Sequence, residues 1–159
     1  MGLRFLGMIS DACKKQFKKN IDEVTKMCAQ GLTSENARIR YEALQAVGLL
    51  MNDLKPALQT KYHADLVPAF IQLMNNEKHL KMQTQAVACM TSFIKGLIEY
   101  EAAEDSEVQT KNKEVILPYT DQIIQSITVL FQRSIDEKYT PLQEEVLATL
   151  SCLASLMDK

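Results

Sequence analysis

Ala37-Arg-Ile-Arg-Tyr-Glu-Ala-Leu-Gln-Ala-Val-Gly-Leu-Leu-Met-Asn-Asp-Leu54 decides the fold, because Leu80-Lys-Met-Gln-Thr-Gln-Ala-Val-Ala-Cys-Met-Thr-Ser-Phe-Ile-Lys-Gly-Leu97 repeats its pattern. Ile39 falls on Met82, Ala43 on Ala86, Leu44 on Val87, Val47 on Met90, Leu50 on Phe93 and Leu54 on Leu97. Apolar residues recur at i, i+3, i+4 and i+7, which is the stripe of an amphipathic helix. Ala43, Ala46 and Gly48, and again Ala86 and Ala88, are small enough to let helices approach closely. The offset is about 43 residues, longer than one helix and right for a repeated pair of helices. A third copy runs from Gln143 to Leu156, with Val146, Leu147, Leu150 and Leu153 in the places of Ala43, Leu44, Val47 and Leu50. A truncated fourth opens the chain, where Leu3, Leu6, Gly7 and Ile9 fall on Leu44, Val47, Gly48 and Leu50.

A second helical pattern alternates with these copies. Asn20 is placed to cap a helix carrying Ile21, Val24, Met27, Cys28 and Leu32, with Asp22 and Glu23 in the first turn where the helix dipole favours acid. Leu66, Val67, Phe70, Leu73 and Met74 form the next, and Ile123, Ile124, Ile127, Leu130 and Phe131 the last. Ser34-Glu35-Asn36 and Asn75-Asn76-Glu77 read as the linking turns. The predicted architecture is all-α: a right-handed α-α superhelix, or HEAT-repeat solenoid, of about three and a half hairpins. Residues 1–13 are the second helix of a truncated repeat, and 20–54, 58–97 and 117–157 are hairpins. Pro68 lies inside a helix, where the freed carbonyl and the ring clash predict a kink near Ala64. Pro56, Pro118 and Pro141 sit where helices begin. An insertion of about 14 residues, rich in Glu99, Glu101, Glu104, Asp105 and Glu107, interrupts the period over 99–114. It reads as an exposed excursion or a helix prolonged past the repeat. The chain has the look of a piece of a longer array, with 1–13 packed on one side only and least stable.

Composition agrees. Of 159 residues only 5 are Gly and 4 Pro, too few for the turns of an all-β chain, while Leu, Ala, Met, Gln, Glu and Lys abound. Hydrophobic residues make up 47% and charged ones 24%, so a core forms and disorder is excluded. A net charge of −2 does not suit a phosphate-coating protein, so nucleic acid is not an expected partner. No apolar run approaches the roughly 20 residues of a membrane span, so no membrane partner is expected either. Cys13, Cys28, Cys89 and Cys152 are far apart and lie among apolar neighbours, which predicts buried free thiols in a reducing compartment.

No catalytic, metal-binding or cofactor-binding constellation emerges. His63 and His79 belong to different elements, and no Cys/His cluster, glycine-rich phosphate loop or nucleophile motif is present. Glu144 and Glu145 diverge by about 100° as neighbours on a helix, which argues for an exposed face rather than a catalytic pair. Met51, Met74, Met82, Met90 and Met157 lie mainly on core stripes. Arg38 and Arg40 open the best-formed second helix and read as a structural ladder to carboxylates or helix ends of an adjacent repeat. Lys14-Lys15 and Lys18-Lys19 form a solvated face or a partner patch.

Asn36-Ala-Arg-Ile-Arg-Tyr-Glu-Ala-Leu-Gln-Ala-Val-Gly48 resembles the second helix of a HEAT repeat in the importin-β (karyopherin-β) family, closest to its importin-five, or karyopherin β-3, branch. Ile116-Leu-Pro-Tyr-Thr-Asp-Gln-Ile-Ile124 resembles that branch's first-helix pattern, and Thr140-Pro-Leu-Gln-Glu-Glu-Val-Leu-Ala-Thr-Leu-Ser151 the helix after it. The acidic stretch 99–114 departs from the pattern. The resemblance implies a non-enzymatic nuclear transport receptor shuttling between cytoplasm and nucleus. Its expected partners are protein cargo with basic import signals, Ran-GTP, and phenylalanine–glycine nucleoporins. It points to Tyr41, Gln45, Asn52, Gln85, Glu144 and Glu145, off the core stripe of the second helices, as cargo contacts. A HEAT scaffold subunit of a multiprotein complex is the alternative.

Overall fold

The computed structural model describes residues 20–101 and 114–157, with the side chains of 99–101 excepted. Helices α1 (Ile21–Leu32) and α2 (Ala37–Asp53) form the first hairpin, and α3 (Ala57–Asn76) and α4 (Leu80–Glu101) the second. A 3-10 turn, Leu117–Tyr119, leads into α5 (Thr120–Asp136) and α6 (Thr140–Met157), the third. The described residues contain no strand. The chain is all-α. Residues 1–13, Cys13, the two lysine pairs of 14–19 and the body of the acidic insertion lie outside the described residues.

Local chemistry explains the boundaries. Asn36 caps α2, its Oδ1 accepting from the Arg38 backbone N–H at 2.9 Å, which satisfies an otherwise unpaired donor of the first turn. Asn20 precedes α1 without a side-chain capping bond, and its carbonyl accepts from Val24 N–H instead. Pro56 stands immediately before α3, Pro118 inside the 3-10 turn and Pro141 in the first turn of α6. The second turn falls later than the sequence suggests: Asn75 and Asn76 finish α3, and residues 77–79 make the link. Inside α3 the non-helical residue is Tyr62 (φ −121, ψ 16), two residues before the expected kink at Ala64. Pro68 cannot donate to Ala64 in any case. The bend localises where Lys61 Nζ (2.7 Å) and the Tyr62 hydroxyl both donate to Asp22 Oδ1 of α1, tying that turn across to the neighbouring hairpin.

One core runs through all three hairpins, from Ile21, Cys28 and Leu32 through Leu44, Val47, Phe70, Met90 and Phe93 to Ile127, Val146 and Leu156. The second helices pack on one another, α2 on α4 and α4 on α6, more closely than the first helices α1, α3 and α5 do. The second helices therefore form the inner wall. Their interface is thin: a Cβ added to Gly48 would meet Cys89 Sγ at 3.6 Å, and one repeat further Thr91 and Thr149 share a buried hydrogen bond of 2.7 Å. Of the apolar residues placed on the helical stripes, Met27, Ile39, Ile124, Leu147, Leu150 and Met157 are exposed. Ile39 is 42% accessible because no described helix covers that side of α2, and Leu147 (54%) and Leu150 (40%) stand on the face of α6 with no described neighbour.

The turns are stitched by a side chain at one recurring position. Arg40 Nη1 donates to the Ser34 and Glu35 carbonyls at 2.8 and 2.9 Å. Gln83, at the same place in the second hairpin, donates to the Met74 carbonyl (2.8 Å), and Gln143, in the third, to that of Ser134 (3.0 Å). Arg40 and Gln83 satisfy carbonyls where a first helix ends, and Gln143 adds a second donor to the Ser134 carbonyl, which also accepts from Tyr139 N–H at 2.9 Å.

Candidate functional site

The inner wall carries a groove of about 280 Å³ between α2 and α4, lined by Gln45, Gly48, Leu49, Asn52, Gln85, Ala88, Cys89 and Ser92. Three of the residues singled out from the sequence, Gln45, Asn52 and Gln85, thus converge on one surface. The repeat brings them there: α2 supplies one rim at seven-residue spacing, and α4, parallel to it, supplies the other. Gly48 and Ala88 keep the floor low. Cys89 closes it; its thiol donates to the Leu44 carbonyl at 3.1 Å, and burial pushes that thiol up to about 12, so it is a structural hydrophobe and not a nucleophile.

Tyr41 stands beside the groove rather than in it. Its hydroxyl accepts from Gln45 Nε2 at 3.1 Å, which fixes the amide, and Lys81 Nζ lies 5.2 Å from its ring centroid, a cation–π contact. Glu144 and Glu145 belong to the next repeat, on α6. Glu144 is exposed; Glu145 is half-buried, and burial raises its carboxyl above the ordinary range while Lys95 draws it down and Glu144 adds to the rise. The six candidates therefore divide into an amide-rich groove with Tyr41 at its edge, and a separate acidic station one helix further along.

Arg40 is committed elsewhere. Its Nε bonds Glu77 Oε1 at 2.5 Å, the carboxylate being 8% exposed, so the guanidinium joins the turn of its own hairpin to the turn of the next. Arg38 is exposed on the first turn of α2. Arg133 works the same edge from the third hairpin, with Nη1 on Gln83 Oε1 and Nη2 on the Lys78 carbonyl, both at 2.9 Å. His63 sits inside α3, and its Nδ1 lies 3.1 Å from the Tyr119 hydroxyl. Ser92, Lys81 and Lys95 on the inner wall were not singled out from the sequence. Ser92 could have been found, since it follows Gln85 by two helical turns.

Among the described residues no group of three or more His, Cys, Asp or Glu could hold a metal ion, and no helix is long and apolar enough to cross a membrane.

A stacked array of helix pairs with a polar inner wall defines the α-solenoid class of macromolecule-binding repeat proteins. Residues 1–77 match the family model described as IPO5-like, TPR repeats. The chain is 22% identical over 149 residues to importin subunit beta-3 of Saccharomyces cerevisiae (strain ATCC 204508 / S288c), spanning 94% of this chain and 12% of that protein. Its fold is similar to that in the crystal structure of Kap121p, with TM-score 0.76 and 22% identity over 94% of this chain and 13% of that one. It is likewise similar to Kap121p bound to RanGTP, with TM-score 0.78 and 22% identity over 96% of this chain and 13% of the other. Kap121p has also been solved bound to Pho4p, and that structure gives TM-score 0.76 and 22% identity at the same shares, 94% and 13%. The chain therefore resembles the IPO5-like repeats of the importin-β family over residues 1–77, and its helix pairs pack as in the Kap121p solenoid.

Proposed function

We propose that the inner wall of α2, α4 and α6 binds an extended segment of protein cargo bearing a basic import signal. The parent receptor carries that cargo between cytoplasm and nucleus, releases it to Ran-GTP and touches phenylalanine–glycine nucleoporins on its way. The observation that supports this most is the convergence of Gln45, Asn52 and Gln85 on one groove, with Glu144 and Glu145 a helix further along. Carboxamides both donate and accept, so they suit the alternating N–H and C=O groups of an extended main chain, which advances about 3.3 Å per residue. Carboxylates beyond them take lysine side chains through charge-assisted hydrogen bonds. Similarity to a karyopherin solved with Pho4p and with RanGTP agrees with this reading.

The test is fluorescence anisotropy of a labelled peptide with several lysines on an uncharged backbone, titrated with the 159-residue chain. Reversing both charges, Glu144→Lys with Glu145→Lys, is expected to weaken binding at least about tenfold, two charge-assisted contacts being lost. Unchanged affinity would refute the assignment. For the parent receptor, Ran-GTP is expected to displace the same peptide.

A further inference from the structure

The turns of the first two hairpins enclose a second cavity, of about 390 Å³, which shares no residue with the inner-wall groove. Its walls come from the end of α1, the start of α2, the end of α3 and the turns that follow α1 and α3. Leu32 and Leu73, both buried, give it an apolar floor. The Arg40–Glu77 pair stands in its wall, with side chains only 19% and 8% exposed. Neither partner is fully satisfied. Arg40 donates from Nε to Glu77 Oε1 and from Nη1 to the Ser34 and Glu35 carbonyls, and among the described residues its Nη2 makes no hydrogen bond. Glu77 accepts at Oε1, and among the described residues its Oε2 has no hydrogen-bond partner. The unpaired side-chain atoms sealed away from solvent are Thr25 Oγ1, Glu42 Oε2 and Gln59 Oε1. Arg40 Nη2 and Glu77 Oε2 are not sealed, so a molecule entering the cavity can reach both.

Charge decides what fits. A carboxylate would suit Arg40 and the exposed Lys78 on the rim, but it would be set against Glu77 Oε2 where little water screens the repulsion. An ammonium would suit Glu77 but would face Arg40 and Lys78. A neutral group with a donor and an acceptor side by side meets neither objection, since its N–H donates to Oε2 while its C=O accepts from Nη2. The primary carboxamide is the side-chain group of this kind. We propose that the cavity receives a single asparagine or glutamine side chain of a bound protein, its carboxamide completing the Arg40–Glu77 pair and its methylene stem lying on Leu32 and Leu73. The site is separate from the cargo groove and does not depend on that reading.

The test is a titration of the isotopically labelled 159-residue chain, followed by amide proton–nitrogen correlation spectra, with four blocked amino acids. These are the N-acetyl methylamides of glutamine, glutamate, lysine and alanine. The glutamine probe is expected to shift the resonances of Ser34, Ala37, Asn76 and His79 with an affinity on the order of millimolar, as suits so small a ligand. The alanine probe carries the same main-chain amides without the side chain and is expected to leave them in place. Glu77→Gln removes the acceptor, and Arg40→Gln removes Nη2 while keeping an amide to bond the turn as at positions 83 and 143; each is expected to weaken the glutamine probe about tenfold. Equal shifts with alanine overturn the proposal, because main-chain amides then suffice. Tighter binding of the glutamate or lysine probe overturns it too, as does unchanged affinity in either variant. No shift with the glutamine probe at about 50 mM does the same, and the four probes on the parent chain decide the matter even if a variant fails to fold.

Discussion

Two glycines inside helices of the inner wall should respond oppositely to alanine. Glycine in a helix interior costs about 0.8–1 kcal/mol relative to alanine, so each substitution begins with that gain. At Gly48 the new methyl would meet only Cys89 Sγ, at 3.6 Å, an ordinary van der Waals contact, and the gain should survive. At Gly96 the methyl would lie 2.1 Å from Gln59 Nε2 and 2.9 Å from its Cδ. Gln59 is fully buried, and its Nε2 donates to the Met51 carbonyl at 3.1 Å, so it cannot step aside without breaking that bond inside the core. An unsatisfied buried amide costs about 1–3 kcal/mol and overpacking about 1–3 kcal/mol. With the helical gain subtracted, Gly96→Ala should destabilise by about 2 kcal/mol while Gly48→Ala stabilises by up to about 1 kcal/mol. For a chain of this length the two variants should melt about 6–12 °C apart. Urea and thermal unfolding followed by far-UV circular dichroism measure this directly. Adding Gln59→Ala should erase most of the Gly96→Ala penalty, since the vacated space takes the methyl. If the two single variants unfold at the same denaturant concentration, the close approach of Gln59 to α4 is wrong.

Arg40→Met should cost about 2 kcal/mol, because it strands the nearly buried Glu77 carboxylate; Arg40→Gln, the residue found at the equivalent positions 83 and 143, should cost less, and equal losses in urea unfolding would contradict the role given to this position. Thr91→Val and Thr149→Val should each lose about 1 kcal/mol, yet the double variant should lose less than the sum, since replacing both hydroxyls leaves no orphan; a strictly additive cycle would speak against the shared bond. Burial raises the thiols of Cys28 and Cys89 to about 11 and about 12, so iodoacetamide near neutral pH should alkylate the half-buried Cys152 well before either, as peptide mapping would reveal. Burial also raises the Glu145 carboxyl, so the folded chain holds that proton more tightly than the unfolded one and stability falls as pH rises through its folded value. Glu145→Gln should therefore be more stable than the parent at neutral pH, with the difference vanishing below about pH 4, and a difference that grew on acidification would reverse the assignment.

The helix pairs are legible because a stripe of period 3.6 recurring in register leaves little freedom in how the chain packs, and α2, α4 and α6 fall on the residues that carry it. What escapes the sequence depends on neighbours distant along the chain. The bend at Tyr62 follows from Asp22, some forty residues earlier, and not from Pro68 alone. Ile39, Leu147 and Leu150 bear the pattern of core residues, but a pattern records which side of a helix is meant to be covered and not whether a partner lies there. The candidate site shows the same division. Residue type and helical phase pick out Gln45, Asn52 and Gln85, while only the lateral register of α2 against α4 shows that they share a groove and that Glu144 and Glu145 do not.

Gly48 against Cys89, and Thr91 against Thr149, have a geometric consequence for the whole array. The spacers between second helices are a hydrogen atom, a thiol and two hydroxyls, whereas on the opposite side His63 and Tyr119 set two rings edge to face, 5.9 Å apart. Building blocks that are slim on one side and broad on the other stack into an arc, like the stones of a vault. The curvature of the solenoid at these steps is thus written in side-chain volume and adjustable one methyl group at a time, so that Gly48→Ala or Thr91→Val tunes the radius available to whatever lies within the arc.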